Sequence, residues 1–258
     1  MNKKIIFFLI VTLISFIIGT CMICLKKLDN ECLRTKKLQS WQKNQPLFIN
    51  PIPKDLAFSG TVLSQDPFIL YLTNFLSNDE CDYLIQYAGL KLNPSTVQGK
   101  NRNEYSAHRT SFTANLKKHE TNVIKTIEER CCQYTRLPIT HLEPLQVVRY
   151  QPGQYFKPHY DYFVPGKTGT YDALKRGGQR TITIFAYLNS APMHETQSCT
   201  VFPKLHLHIP KPKKGCAVLF FNTLPNNTED TRTMHGGDPP LTFTKYGLNV
   251  WFRQLPFH

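Results

Sequence analysis

The spacing of apolar residues changes several times along this chain, and each change marks a predicted element. Residues 5–25 form an apolar run without a charged side chain, bracketed by Lys3-Lys4 and Lys26-Lys27. As a helix rising 1.5 Å per residue the run matches the roughly 30 Å hydrocarbon core of a bilayer, and it exceeds the apolar stretch of about 7–15 residues in a cleavable signal peptide. An uncleaved membrane anchor is therefore expected over residues 1–27. Residues 28–60 are polar, hold Pro46, Pro51 and Pro53, and read as a stem. Phe68-Ile-Leu-Tyr-Leu then looks like a strand. Ser77-Asn-Asp-Glu80 has the capping-box pattern just ahead of Cys81, Leu84, Ile85 and Ala88 at helical spacing, which predicts a first helix. Val123, Ile124, Ile127, Cys131 and Tyr134 share one face of a second, over about 119–135. Strands are predicted at 145–150, 180–188, 216–221 and 247–253. In the 180–188 strand Thr181, Thr183 and Phe185 lie opposite an apolar face, toward a pocket or toward solvent. The pattern predicts a mostly β domain with flanking helices, an α+β arrangement, over residues 61–258.

Composition narrows the class. With 41% hydrophobic and only 19% charged residues, a disordered chain is excluded. The formal net charge of +13 fits nucleic acid, an anionic membrane or an acidic peptide, but the Lys and Arg are scattered rather than gathered in one run, which favours a solvated surface. Eight cysteines do not set the compartment: Cys21 and Cys24 fall in the apolar run, and the rest lack the paired spacing of a zinc site. One or two disulfides are possible among them. Asn226-Asn-Thr228 is a glycosylation sequon, a hint of lumenal exposure.

The candidate chemistry lies in Tyr150-Gln-Pro-Gly-Gln-Tyr-Phe-Lys-Pro-His159-Tyr-Asp161. Residues two apart in an extended strand point to the same side, so His159 and Asp161 offer an imidazole and a carboxylate together. Two histidines and one carboxylate on one face of a metal, with the other positions open, suit a non-haem Fe(II) oxygenase. His235, in Met234-His235-Gly-Gly, is the candidate third ligand. His206-Leu-His208 competes with it, because both of these rings would face one way on a strand.

From about residue 68 onward the chain resembles the prolyl 4-hydroxylase family, collagen and plant type, within the Fe(II)/2-oxoglutarate dioxygenases. The resemblance is carried by Phe75-Leu-Ser-Asn-Asp-Glu-Cys-Asp-Tyr-Leu-Ile, Val147-Val-Arg-Tyr-Gln-Pro-Gly-Gln-Tyr, Gly177-Gly-Gln-Arg-Thr, Ala186-Tyr-Leu-Asn, Pro210-Lys-Pro-Lys-Lys-Gly, and His235 followed ten positions on by Lys245. It implies a double-stranded β-helix, or jelly roll, supported by N-terminal helices. It also implies His159, Asp161 and His235 as iron ligands, which favours His235 over the 206/208 pair. Lys245 and Tyr150 would hold the far carboxylate of the co-substrate 2-oxoglutarate, where an unpaired buried charge would be costly. Arg180 and Trp251 would line a groove for a proline-containing peptide, and residues 101–111 would form an arginine-bearing loop near it.

The implied reaction converts peptidyl proline to 4-hydroxyproline with O2, giving succinate and CO2, with L-ascorbate keeping the iron reduced. The implied setting is a single-pass, type II membrane protein with its catalytic domain in the endoplasmic reticulum or secretory lumen, although the lysines and arginines after the apolar run favour the opposite orientation. Alternatives keep the chemistry on a lysyl or asparaginyl residue or a nucleobase, or keep the barrel as a non-catalytic tethered binding module. Two departures bear on the substrate. Gln197-Ser-Cys-Thr200 replaces the family's Gly-Gly-x-Thr turn, and Arg253 stands where relatives carry a histidine two residues after the tryptophan.

Overall fold

The computed structural model of the chain describes residues 60–96 and 108–258, together with Thr20 and Met22. Apart from Thr20, Met22 and Gly60, the expected anchor and stem lie outside the described residues, as does most of the arginine-bearing loop; among those described, no helix is long and apolar enough to cross a membrane.

The elements run β1 (Gly60–Gln65), β2 (Phe68–Leu72), α1 (Asn78–Gly89), β3 (Asn93–Pro94), β4 (Phe112–Asn115), α2 (Asn122–Thr135), β5 (Gln146–Tyr150), β6 (Phe156–His159), α3 (Thr170–Lys175), β7 (Arg180–Tyr187), β8 (Thr200–Phe202), β9 (Leu207–His208), β10 (Ala217–Phe221), β11 (His235–Gly237) and β12 (Lys245–Arg253). They form an eight-stranded sheet, β1-β2-β10-β7-β12-β5-β4-β3, and a four-stranded sheet, β6-β11-β8-β9. All pairings are antiparallel. The domain is mostly β with few helices, consistent with a jelly roll.

Alternation along the central strands divides the interior in two. Ile182, Ile184 and Ala186 of β7 and Leu248, Val250 and Phe252 of β12 join Leu84 and Ala88 of α1 and Ile124 and Ile127 of α2 in one apolar core. The helices thus cover one face of the large sheet, as amphipathic helices do. Positions of opposite parity, among them Thr183, Phe185, Lys245 and Trp251, face the other way and line a hollow. A second core, including Ile69, Tyr187, Phe202 and Phe220, fills the rest of that side. The face of Thr183 and Phe185 is therefore the pocket face rather than solvent.

The support helices start where their caps dictate. The Ser77 hydroxyl accepts from the Glu80 amide at 3.1 Å, and the Glu80 carboxylate accepts from the Ser77 amide at 2.8 Å. This reciprocal cap is worth about 1 kcal/mol. Glu80 also receives both guanidinium nitrogens of Arg130, at 2.7 Å each, which ties α1 to α2. The second helix begins at Asn122 rather than 119, because His119 sits in the left-handed region and Thr121 is the residue whose side chain caps Ile124. Cys81, Cys131, Cys132, Cys199 and Cys216 are all free, so the disulfides that the cysteine count allowed are absent among the described residues. Cys131 is packed in the helix core instead.

Candidate active site

His159 ends β6 and His235 begins β11, and the two residues are direct partners in the antiparallel pairing of those strands. Gly236 permits the close approach: a Cβ there would lie 3.1 Å from the Phe156 carbonyl oxygen and the Pro158 nitrogen. Asp161, two residues beyond His159, completes the group, and one donor atom from each of the three lies within 4.8 Å of the others. His159 Nε2 is 3.6 Å from Asp161 Oδ1, and His235 Nε2 is 3.6 Å from Asp161 Oδ2. His206 and His208 take no part; His206 caps a 3-10 turn, and His208 pairs with Val201 on β8.

Each ring is oriented by what lies behind it. His159 Nδ1 is 2.9 Å from the Lys157 carbonyl, and His235 Nδ1 is 3.0 Å from that of Thr233. A carbonyl can only accept, so Nδ1 carries the proton and Nε2 turns its lone pair toward the shared centre. Phe156 stacks on His159 with ring centroids 3.5 Å apart, and Phe220 meets the His235 ring at 4.7 Å. Burial pushes His235 down to about 4, so it is neutral near pH 7 and able to donate its lone pair. Burial alone would raise the Asp161 carboxyl, but the facing His235 and His159 rings and Arg180 outweigh it and hold it well below the usual carboxylate range.

Asp161 is fixed by two donors that sequence reasoning did not assign to it. Thr183 Oγ1 donates to Oδ2 at 2.8 Å and Trp251 Nε1 donates to the same oxygen at 2.9 Å, while Asn222 in turn donates to Thr183 at 2.9 Å. Trp251, expected to lie against a peptide, lines the outer groove as well; its indole nitrogen turns inward to the carboxylate, and the guanidinium carbon of Arg180 is 3.8 Å from its ring centroid. Strand parity could have found this link, since Thr183 and Trp251 are cross-strand partners on the pocket face.

Lys245 lies at the inner end of the hollow, 2% exposed. Its ammonium donates to the Ser198 carbonyl at 2.6 Å and is 5.7–5.9 Å from the ring centroids of Tyr150, Phe185 and Tyr187. Burial lowers it to about 8. Among the described residues no carboxylate comes within ion-pair distance of it. Gly247 shapes the same wall, because a Cβ there would meet the Phe185 ring at 2.3 Å. Tyr150, the cross-strand partner of Lys245, is buried, and burial raises its phenol; Arg109 and Ser111 are its polar neighbours.

Outside the His159–Asp161–His235 cluster the hollow opens into a groove of about 890 Å³. Arg180 lines it and is held by Glu143 at 2.7 and 2.9 Å, a bidentate pair that no periodicity in the sequence announced. Glu143 lies in the connection between α2 and β5, where neither helical nor strand spacing operates. Arg109, also in the groove wall, donates to Ser111 and Gln146 at 3.1 Å and lies over the Phe156 ring.

Two imidazole lone pairs and a carboxylate converge beside open space, with an uncompensated cation further in: the donor set and charge of an Fe(II) and dicarboxylate site. The 2OG-Fe(II) oxygenase superfamily profile matches residues 145–253, which hold all three donors and Lys245. Prolyl 4-hydroxylase 1 of Arabidopsis thaliana is 36% identical over 206 residues, covering 75% of this chain and 71% of the relative. Prolyl 4-hydroxylase 5 of the same plant is 32% identical over 216 residues, covering 76% and 72%. The crystal structure of a viral collagen prolyl hydroxylase from Paramecium Bursaria Chlorella virus-1, in complex with 2OG, aligns with a TM-score of 0.55 at 27% identity over 72% of this chain and 95% of that one. The chain belongs to the prolyl 4-hydroxylase family of the 2OG-Fe(II) oxygenases, enzymes that use Fe(II) and 2-oxoglutarate.

Proposed function

We propose that this chain hydroxylates peptidyl proline to 4-hydroxyproline, consuming 2-oxoglutarate and O2 and releasing succinate and CO2. The observation that carries the reading is the pairing, inside one hollow, of the His159–Asp161–His235 cluster with a buried Lys245 that lacks an anionic partner among the described residues. His159, Asp161 and His235 would hold Fe(II). Lys245, with Tyr150 beside it, would meet the far carboxylate of 2-oxoglutarate, whose two negative charges suit a dication at one end and an ammonium at the other. When bound, iron and 2-oxoglutarate supply the oxidising power that places one oxygen atom of O2 in a C–H bond.

The protein's own part is positional. Thr183 and Trp251 hold Asp161 in register, the carbonyls of Lys157 and Thr233 fix the imidazole tautomers, and the rings of Phe156, Phe185 and Phe220 keep water from the reacting centre. Arg180, braced by Glu143, and the face of Trp251 beneath it form the groove wall on which a peptide would lie. A polyproline II segment exposes flat pyrrolidine rings to such a wall at little entropic cost.

The test incubates the purified protein with Fe(II), 2-oxoglutarate, L-ascorbate and Pro-rich or collagen-like peptides, and reads peptide mass and succinate together. A proline product heavier by one oxygen, in step with succinate, is expected; omission of ascorbate should shorten the linear phase. Succinate release with turnover of a lysyl, asparaginyl or nucleobase substrate and no proline product would replace this reading.

The proposed setting is a type II membrane protein with this domain in the secretory lumen, supported by the apolar run at 5–25 and by the exposed Asn226 of the sequon. Glycosidase sensitivity and protease protection of the full chain in membrane vesicles test it: an unglycosylated, protease-accessible domain would place it on the cytosolic side.

A further inference from the structure

The groove outside the metal ligands is electrically lopsided. Arg109, Lys157, Lys167, Arg176, Arg180 and Arg253 line it against only Glu143 and Asp161, and Asp161 belongs to the metal cluster. Glu143 gives both of its oxygens to Arg180 and leaves Arg253 a longer ion pair at 3.6 Å. Among the described residues Arg109 finds neutral partners in Ser111, Gln146 and Tyr150. Among the described residues that line it, the groove's positive charge is therefore not neutralised.

Arg253 is the least satisfied member. It ends β12, 1% exposed, directly opposite Arg180 in the pairing with β7, where two like charges oppose each other. One terminal nitrogen donates to the Ala173 carbonyl. Its Nε lies 3.6 Å from Glu143 Oε1, beyond hydrogen-bond distance, and Nε and Nη1 both lack a hydrogen-bond partner. Burial pushes the guanidinium down to about 9, against the pull of Glu143. Its guanidinium carbon is 4.4 Å from the Phe163 ring centroid and 5.5 Å from that of Phe257, and Arg176 lies over the same Phe257 ring at 4.8 Å. Arg176, whose Nε donates to the His258 carbonyl oxygen, is itself only a donor and adds no acceptor. A buried guanidinium with two idle donors is a costly arrangement to keep unless an acceptor arrives from outside. The fork geometry of those donors matches a carboxylate.

We propose that the groove selects a peptide carrying a carboxylate close to its target residue, and that Arg253 is the specificity-determining residue that receives it. The inference rests on the proposed function in taking the occupant to be a peptide. A carboxylate could come from an acidic side chain or from the peptide's own C-terminus, and the experiment separates the two.

Proline-rich peptides are made in pairs that differ only by Glu or Gln at one position within three residues of the proline, all C-terminally amidated. A further pair is neutral throughout and differs only in a free or amidated C-terminus. Binding to the full chain, loaded with Fe(II) and 2-oxoglutarate under anaerobic conditions, is read by fluorescence anisotropy, and kcat/KM is read in air. At one position Glu is expected to bind about tenfold or more tighter than Gln, the size of effect given by a charge-assisted hydrogen bond. That ratio should shrink between about 50 and 500 mM salt. Arg253→Gln should bring it close to one, and Arg253→Lys should keep part of it. A preference confined to the free C-terminus, and lost in Arg253→Gln, supports the site and assigns it to the peptide end. Equal affinity across every pair in the unmodified protein, which needs no variant to fold, overturns the proposal. So does a preference that survives Arg253→Gln undiminished. Because binding is read without turnover, an acidic preference with no hydroxylated proline would retire the prolyl assignment and leave this inference standing; hydroxylation indifferent to charge would do the reverse.

Discussion

Arg180 in the outer groove and Lys245 in the inner hollow are both charged side chains held out of water, yet they are stabilised by opposite means. In the groove, Arg180 is answered by Glu143 within the protein, so the pair is complete before any ligand arrives. In the hollow, Lys245 has a carbonyl and three aromatic rings but no anion, and the imidazoles of His159 and His235 spend their protons on carbonyls behind them. Completing a buried pair with a protein carboxylate gives a structural element, whereas leaving a buried cation incomplete keeps a site for a diffusible anion. The difference teaches where to look for chemistry: not at the best-paired charges but at those whose partners are neutral.

Removing a metal ligand should break the comparison most completely. His159→Ala or His235→Ala should lose Fe(II) binding and lower succinate release by more than about 100-fold, since even a group that only orients a ligand is worth about 10–100-fold. Metal content by elemental analysis, with an unchanged circular dichroism spectrum, is the measurement. A variant that retained stoichiometric iron and full turnover would dissolve the cluster assignment.

Lys245→Met comes next and should move two quantities in opposite directions. Affinity for 2-oxoglutarate should fall by about 100-fold or more, as when one partner of a buried ion pair is removed. The ligand-free protein should become more stable at pH 7. A lysine lowered from 10.5 to about 8 imposes its full penalty below pH 8, where both states are protonated, and none above 10.5, where both are neutral. That penalty is on the order of 3 kcal/mol by the size of the shift. Loss of the Ser198 hydrogen bond takes back about 1 kcal/mol or more. The net gain should shrink as pH rises from 8 to 10.5, and denaturant titrations at several pH values check it. Destabilisation at every pH would mean that Lys245 is an ordinary structural residue.

Trp251→Phe sharpens the boundary between the two regions. It keeps a ring for Arg180 to cover but removes the donor to Asp161, so iron affinity should weaken about 10-fold or more. If peptide KM rises instead and iron affinity holds, the tryptophan belongs to the groove after all. Ser77→Ala gives the smallest effect, a stability loss of about 1 kcal/mol from the cap of α1 with kcat unchanged. It measures how far the supporting helices are insulated from the catalytic end.

The sequence made some of this legible and concealed the rest for physical reasons. Short-range signals were readable: the cap at Ser77, the helical spacing of Ile124 and Ile127, and the same-side placement of His159 and Asp161 depend on residues close in the chain. Lys245 and His235 were found through the family's ten-residue interval and not through any local rule. The donors to Asp161 were not assigned, because Thr183 and Trp251 meet it only through sheet pairing, although their alternation placed them on one face. Glu143 was not singled out at all. It sits in a non-periodic connection, and its value comes from Arg180 and Arg253, which are remote from it in sequence.

The in-register pairing of His159 with His235 also fixes the order of events during biosynthesis. A nascent chain that has emerged through β10 owns two of the three donors, but its second imidazole and the cation in β12 do not yet exist. On the proposed function, high-affinity capture of ferrous ion would therefore be a late event, after the closing strands have been synthesised and seated.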